Sequence, residues 1–439
     1  MKYIEHIKSG ALALLVLLSV VLTFTIWTFK PTFEMIEPPS TDVAIGENRR
    51  VEEVVRPHKA LFHYSDTVTG TTERADIDRL LQSVDGWKVQ DLALAEEEAS
   101  SATMSAYLHD SNRVVLYYNG GVPFSIYDTV MEITDSAIPE SSFDRLIIEW
   151  GTIESNKFVL HFINSETGRI YKAFITSSVL DEFQASTLVE AMDFDAYTIN
   201  EAIGKLPIYV PTEEKQMTQY TYLLDEVSPN RFVNALFENP NNVSATREAM
   251  YEEYTDDSAA IMRVHKTKSI SYVQPQAESA DPSVPSELLL NTLDFVNGHG
   301  GWTNDYRYFG MNPLNQEITY QLFLNNRPVF GSMLSTSIDI TWGTDNGEEQ
   351  IYQYDRPVYV LESTVSTQLV DMPSGLDVVN AMKRLEDRDL TEITDIIAAY
   401  ELVRKDQLLE FQPAWYYQSN GIWIKLTGEE IGGGPFGLE

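Results

Sequence analysis

The chain has 439 residues, 43% apolar and 22% charged, the proportions of an ordinary globular protein with room for several domains. Its 66 acidic side chains against 31 basic ones leave a formal net charge of −35, which repels a phosphate backbone and excludes nucleic acid as a partner. Cysteine is absent, which removes disulfides, thiolate zinc sites and cysteine nucleophiles.

The first predicted element is apolar. Gly10 to Phe29, "GALALLVLLSVVLTFTIWTF", carries no charge and matches the ~20 residues that an α-helix needs to cross a bilayer. It ends in bulky Trp27, Thr28 and Phe29 followed by Lys30-Pro31, not in a small-x-small cleavage site, so residues 1–30 read as a cytoplasmic tip and an uncleaved signal anchor. Lys2 and Lys8 before the span and the acidic remainder after it place residues 31–439 outside the cytoplasm, in a single-pass membrane protein. Ser9, Ala13, Val16, Val20, Thr23 and Trp27 recur at helical spacings and form a seam on which a partner helix can pack in lipid. A Leu-rich span with a few Ser and Thr residues also produces such a pattern without a partner.

Residues 31–57 contain four prolines and no sustained period, which predicts a stalk. From residue 58 to 204 the pattern is mixed. "ALFHYSDTVTGTT" predicts a strand and turn, "ADIDRLLQSVDGW" a helix closed near Gly86, and "RVVLYYNGGVPFSIY" a hairpin around Asn119-Gly120-Gly121. Further strands follow in "RLIIEW" and "KFVLHFINSETGRIYKAFI", then a helical "SSVLDEFQASTLVEAM". A central α+β domain, 205–312, opens with "LPIYVPTEEKQMTQYTYLL". Ser228-Pro229 is a helix start before "RFVNALF", and "AAIMRVHKTKSISYVQ" alternates as a strand or hairpin. Ser286 is placed to cap "ELLLNTLDFVNG", whose Leu288, Leu289, Thr292, Leu293 and Val296 share one helical face.

That helix runs into "NGHGGWTNDYRYFG", residues 297–310. Gly298 stands where a helix end wants a left-handed residue, Gly300 and Gly301 relieve the turn, and Trp302 is available to pack it. The stretch reads as a structural corner; His299 reads as structural, with a base or ligand as the alternative. Residues 313–439 predict a mainly antiparallel β domain with turns at Asn325-Asn326, Asp345-Asn346-Gly347 and Ser419-Asn420-Gly421. Two helices interrupt it, "SGLDVVNAMKRL" and "LTEITDIIAAYELVR", the second capped by Thr391. The expected fold class is therefore α+β: a transmembrane helix followed by three extracytoplasmic mixed domains.

Motifs of chemistry are missing from the sequence. There is no HExxH, GxSxG, Walker loop or SxxK, and His58 and His63 are spaced for neither a helix face nor a strand face. Acidic runs at Glu96 to Glu98, Glu252 to Asp257 and Asp387 to Glu392 lack the glycine and distal glutamate of a calcium loop and read as solvated faces. "GGGPFG" at Gly432 to Gly437 reads as a frayed tail. No catalytic, cofactor-binding or metal residue is assigned, and no cofactor is expected.

The anchor "LLVLLSVVLTFTIWTFKP", "FVNGHGGWTNDYRYFG" with "ITYQLFLNNRPVF" after it, and the closing "FQPAWYYQSNGIWIKL" together resemble the YycH (WalH) family across essentially the whole chain. The resemblance implies a membrane-anchored, non-enzymatic accessory protein of Gram-positive bacteria with three extracytoplasmic domains. It implies association with the sensor histidine kinase of the WalK/WalR (YycG/YycF) system, chiefly through transmembrane helices, a YycI-like single-pass companion, and an effect on cell-wall metabolism. The residues alone also admit an extracytoplasmic glycan-binding protein or cell-wall hydrolase, or a small-molecule sensor.

Overall fold

The computed structural model describes Ser19 and residues 45–431, apart from 155–156, 177–179, 201–202, 280, 346 and 385–388. The predicted membrane span apart from Ser19, all six seam positions and the glycine-rich tail lie outside the described residues. Among the described residues no helix is long and apolar enough to cross a membrane.

The first sheet is built from β1 (Lys59–His63), β2 (Val68–Thr71), β3 (Lys88–Glu96), β4 (Arg113–Pro123), β5 (Glu132–Ile133), β6 (Ser142–Glu154), β7 (Lys157–Asn164), β8 (Arg169–Thr176), β9 (Asp195–Asn200) and β10 (Ile208–Pro211). Their order is β10-β9-β2-β1-β4-β6-β7-β8-β3-β5, antiparallel except for β3 with β5. Because side chains alternate across a strand, Ala60, Phe62, Val114 and Leu116 enter one core and Leu61, Val115 and Tyr117 the other. The first core takes Ile77, Leu80 and Val84 of the helix Arg74–Val84; the second takes Met104 and Leu108 of the helix Ser101–His109. Gly86 follows the first helix with φ +69°, the left-handed conformation expected of it.

A second sheet holds β11 (Lys215–Leu223), β13 (Ser244–Arg247), β14 (Tyr251–Thr255), β15 (Ile261–His265), β16 (Ser269–Val273), β17 (Tyr306–Asn312), β18 (Glu317–Leu324), β19 (Arg327–Gly331), β20 (Ser337–Asp345), β21 (Glu348–Pro357), β23 (Thr364–Met372), β24 (Ile393–Lys405), β25 (Leu408–Ser419) and β26 (Ile422–Lys425). Between them β12 (Asp225–Glu226) and β22 (Tyr359–Val360) make a small pair of their own. The order is β13-β14-β15-β16-β21-β20-β18-β19-β24-β25-β11-β23, with β17 on β18 and β26 on β25; β19 with β24 is parallel. The first boundary expected, at residue 204, falls between β9 and β10, which are hydrogen-bonded neighbours within the first sheet. The second, at 312, falls between β17 and β18, which are hydrogen-bonded neighbours.

Several local expectations are corrected. The stretch Leu390 to Arg404 is not a helix: a 3-10 turn at Leu390–Glu392 leads into β24. Ile393, Ile396, Ile397 and Tyr400 stand at i, i+3, i+4 and i+7, which imitates helical spacing. The strand is buried on both faces, Ile396, Tyr400 and Leu402 in one core and Ile397 and Ala399 in another, so its apolar residues need not alternate. Asp389, not Thr391, caps the turn, its Oδ1 accepting from the Thr391 amide at 2.9 Å. Asn119-Gly120-Gly121 is likewise no hairpin tip but an irregularity within β4, between Tyr117 and Val122. A Cβ on Gly120 would lie 2.8 Å from Gly310 Cα, and the Tyr308 hydroxyl donates to the Gly121 carbonyl at 2.7 Å; the glycines let β17 of the second sheet approach.

Helix starts also shift. Val284 precedes the helix Pro285–Gly298, so Ser286 lies inside its first turn, and Ser228 occupies the N-cap of Pro229–Leu236 without a side-chain capping bond. The last part of the expected stalk is folded onto the body: Ile45, Val51, Val54 and Val55 are buried, the latter three in or beside the short helix Val51–Val54.

Replacing Gly120 with Val should force the β4 and β17 backbones apart and cost about 1–3 kcal/mol, the usual penalty of overpacking. A urea midpoint equal to that of the parent chain would show that the two backbones do not meet there.

Candidate functional site

The corner at 297–302 brings all four of its predicted residues together, in a different role for each. Gly298 is the last helical residue, His299 caps the helix, and the left-handed position is Gly300, with φ +59°. Gly301 is crowded, since a Cβ there would stand 2.7 Å from His299 Nε2 and 2.8 Å from Val296 Cγ1. Trp302 is buried edge-on against Tyr320, with ring centroids 5.1 Å apart.

What the sequence did not reveal is that this corner receives the incoming chain. The Ile45 amide donates to the His299 carbonyl at 3.0 Å, Gly46 donates to Gly300, and Glu47 bridges Trp302. Asn297 closes the cradle. Its Oδ1 accepts from the Arg49 amide at 2.8 Å and from Trp302 Nε1 at 2.7 Å, while its Nδ2 donates to the Arg49 carbonyl at 2.9 Å. His299 is held neutral beneath it, its pKa pushed down to about 3 first by burial and then by the Arg356 guanidinium. Its Nε2 lies 3.2 Å from the Tyr354 hydroxyl, which accepts from Arg356 Nη1 at 2.8 Å; Arg356 Nη1 also donates to the Gly301 carbonyl at 2.6 Å.

From the cradle a polar chain runs inward. Arg49 meets Asp305 at 2.7 Å, and the same carboxylate takes Arg307 at 2.8 Å and Arg74, from the first sheet's helix, at 3.2 Å. Burial disfavours the charged form of Asp305, but Arg307 and Arg49 outweigh it and hold its pKa near 2. Fully buried Arg307 also donates to Asn326 Oδ1. Asn325 and Asn326 form the tight turn between β18 and β19, with φ +49° and +64°. Asn326 then donates across the sheet junction to the carbonyls of His58 at 3.1 Å and Thr72 at 2.9 Å.

Next to His58 lies the most deeply buried ion pair of the junction. Lys59 Nζ, at the start of β1, is 2.9 Å from Asp395 Oδ1 in β24, and His58 Nε2 is 3.4 Å from Asp395 Oδ2. Burial alone would raise the Asp395 pKa; Lys59, then His58 and Arg145, instead hold it well below the usual carboxylate range. Burial pushes the His58 pKa down despite Asp395. Lys59 Nζ and the Arg145 guanidinium both lie over the Tyr117 ring, at 4.7 and 4.6 Å from its centroid. Neither Lys59 nor Asp395 had any signal in the sequence, because they are 336 positions apart and only the sheet junction joins them.

The pair separates two hollows. On one side is a small cavity of about 50 Å³ with Met217, Met372, Trp415, Lys215 and Arg327 in its wall. On the other an open cleft of about 920 Å³ runs between the sheets, reached by Asn119, Ser142, Arg145, Thr394, Gln418 and Trp423.

A sheet-rich α+β protein in which two abutting sheets share a charged junction, with a cradle for its own incoming segment, is the class that this geometry defines. The chain belongs to the YycH family: residues 5–188 match the model of the YycH protein N-terminal domain and residues 205–430 that of the C-terminal domain. It is 21% identical over 445 residues, 96% of each chain, to the two-component system WalR/WalK regulatory protein YycH of Bacillus subtilis (strain 168). The crystal structure of YycH from Bacillus subtilis shares its fold, with a TM-score of 0.71 at 18% identity, covering 88% of this chain and 99% of that one.

Changing Asp395 to Asn should strand the Lys59 charge in the junction and destabilise the protein by about 3–5 kcal/mol in urea unfolding; a change below about 1 kcal/mol would show that Lys59 finds water instead. Acid should weaken the fold in a defined window. Because His299 has a folded pKa below its unfolded 6.5, its contribution is complete above pH 6.5 and is lost as pH falls toward about 3. Stability should therefore decline through that range, and His299→Gln should reduce the slope by about 1.4 kcal/mol per pH unit. An identical slope in the variant would mean that His299 titrates freely.

Proposed function

We propose that this chain is a regulator of two-component signalling that associates with a sensor histidine kinase of the WalK type and tunes the control of cell-wall metabolism. The observation that carries this reading is the full-length likeness to the WalR/WalK regulatory protein YycH. The role is non-enzymatic: the buried titratable groups described above are engaged in holding the sheets and the incoming segment. The chain is anchored in the cell membrane by residues 10–29, with its N-terminus cytoplasmic, residues 31–439 outside, and a YycI-like single-pass protein as a second partner.

In this reading the membrane helix packs against a kinase helix along Ser9, Ala13, Val16, Val20, Thr23 and Trp27. A regulator shifts a two-state kinase only by contacting its states differently. The cradle at 297–302 supplies the link between helix and body, since the chain arriving from the membrane side is bound there before it enters β1. The corner thus has a positioning role, with Gly298, Gly300, Gly301 and Trp302 shaping the cradle. The division into domains at 58–204, 205–312 and 313–439 belongs to the same proposal.

Extraction of the full-length protein from its own membranes in mild detergent should recover a sensor kinase and a second single-pass protein, identified by mass spectrometry. Exchanging residues 10–29 for an unrelated Leu-rich span should abolish that recovery and the effect on kinase output; undiminished output would end the helix-packing reading. Asn297→Ala should release residues 45–50 and weaken regulation while the urea midpoint of the body shifts little. Full regulation by that variant would remove the cradle from the mechanism.

A further inference from the structure

We propose that the cleft between the two sheets is a binding site for a neutral, polyhydroxylated ligand, namely a saccharide. This goes beyond the regulatory reading and is tested without the kinase.

The cleft, at about 920 Å³, has the dimensions of a ligand site and not of a packing defect. Its chemistry narrows the ligand. The cations that reach it are each matched by a carboxylate: Lys59 with Asp395 at 2.9 Å, Arg145 with Asp144 at 3.0 Å, and Lys205 with Glu392 at 2.9 Å. Asp144 also accepts from the Ser165 amide at 2.8 Å. A phosphate or carboxylate ligand would have to displace one of these partners, and the further carboxylates Glu98 and Glu166 at the cleft would repel it.

The rest of the wall is rich in hydroxyl and amide groups, among them Asn119, Ser142, Thr394 and Gln418, which donate and accept without carrying charge. Those groups match a ligand whose own hydroxyls do both, while Met104, Leu206, Ile208 and Met311 in the same wall can take the apolar faces of its rings. At the rim, Trp423 adds a flat apolar surface, stacked on Phe330 with ring centroids 5.7 Å apart. Its Nε1 has no hydrogen-bond partner in the protein. In the floor, the Tyr117 hydroxyl and His58 Nδ1 are also without protein partners although both residues are more than nine-tenths buried. Gln418 and Thr394 sit on facing strands, Thr394 Oγ1 donating to Gln418 Oε1 at 2.7 Å, which leaves the Gln418 amide hydrogens for the ligand.

The probe is the β-1,4-linked trimer of N-acetylglucosamine, titrated into the full-length protein in detergent micelles by calorimetry, with inorganic phosphate in a parallel titration. Saturable binding of the trimer, weakened at least about tenfold by Gln418→Ala and by Trp423→Ala, is the expected result, with no heat from phosphate. Trp423→Phe should keep part of the affinity, since it retains an aromatic face and loses only the indole N–H. Absence of saturable trimer binding, binding that both alanine variants leave intact, or phosphate binding in its place would each overturn the assignment. Unchanged urea midpoints in the variants separate lost binding from lost folding.

Discussion

Lys59 and Asp395 determine how the two halves of this molecule meet. Each belongs to a central strand of its own sheet, each is almost wholly withdrawn from water, and neither charge is tolerable there without the other. An unpaired ammonium or carboxylate at that depth costs several kcal/mol, so the sheets have one relative placement that satisfies both. His58, Arg145 and the Tyr117 ring complete the cluster, and the cleft on one side and the small cavity on the other follow from the gap it holds open.

A second consequence of that placement is continuity. The backbone of His58, beside the ion pair, is bonded through Asn326 to Arg307, through Asp305 to Arg49, and through Asn297 to the corner that receives the incoming chain. The junction, the cleft and the entry point of the chain are therefore parts of one polar network.

Much of the local structure was legible. The β1 strand and the turn after it, the helix ending before Gly86, the turn at Asn325-Asn326 and the helix that buries Leu288, Leu289, Thr292, Leu293 and Val296 all follow from residue type and spacing. β24 did not, because Ile393, Ile396, Ile397 and Tyr400 carry a helical spacing, which a strand buried on both faces also produces. Asn119-Gly120-Gly121 misled for a related reason: its glycines serve close approach of a distant backbone, and that demand looks the same in sequence as a tight turn. The corner was placed correctly as a corner, but its left-handed glycine is Gly300, two positions later than the helix pattern indicated, and its occupant, residues 45–50, came from a stretch that read as stalk.

The sequence by itself determined the acidic charge, the absence of cysteine chemistry, the mixed α+β character and the family, because these depend on composition, on short-range periodicity and on the order of motifs along the chain. Tertiary structure alone decided which charges are buried together, where the incoming segment docks and where the cleft lies. The physical reason is distance along the chain. Lys59 and Asp395, Arg49 and Asp305, and Asn326 and His58 lie hundreds of residues apart, and no local pattern encodes a partner that only the meeting of two sheets brings within hydrogen-bonding reach.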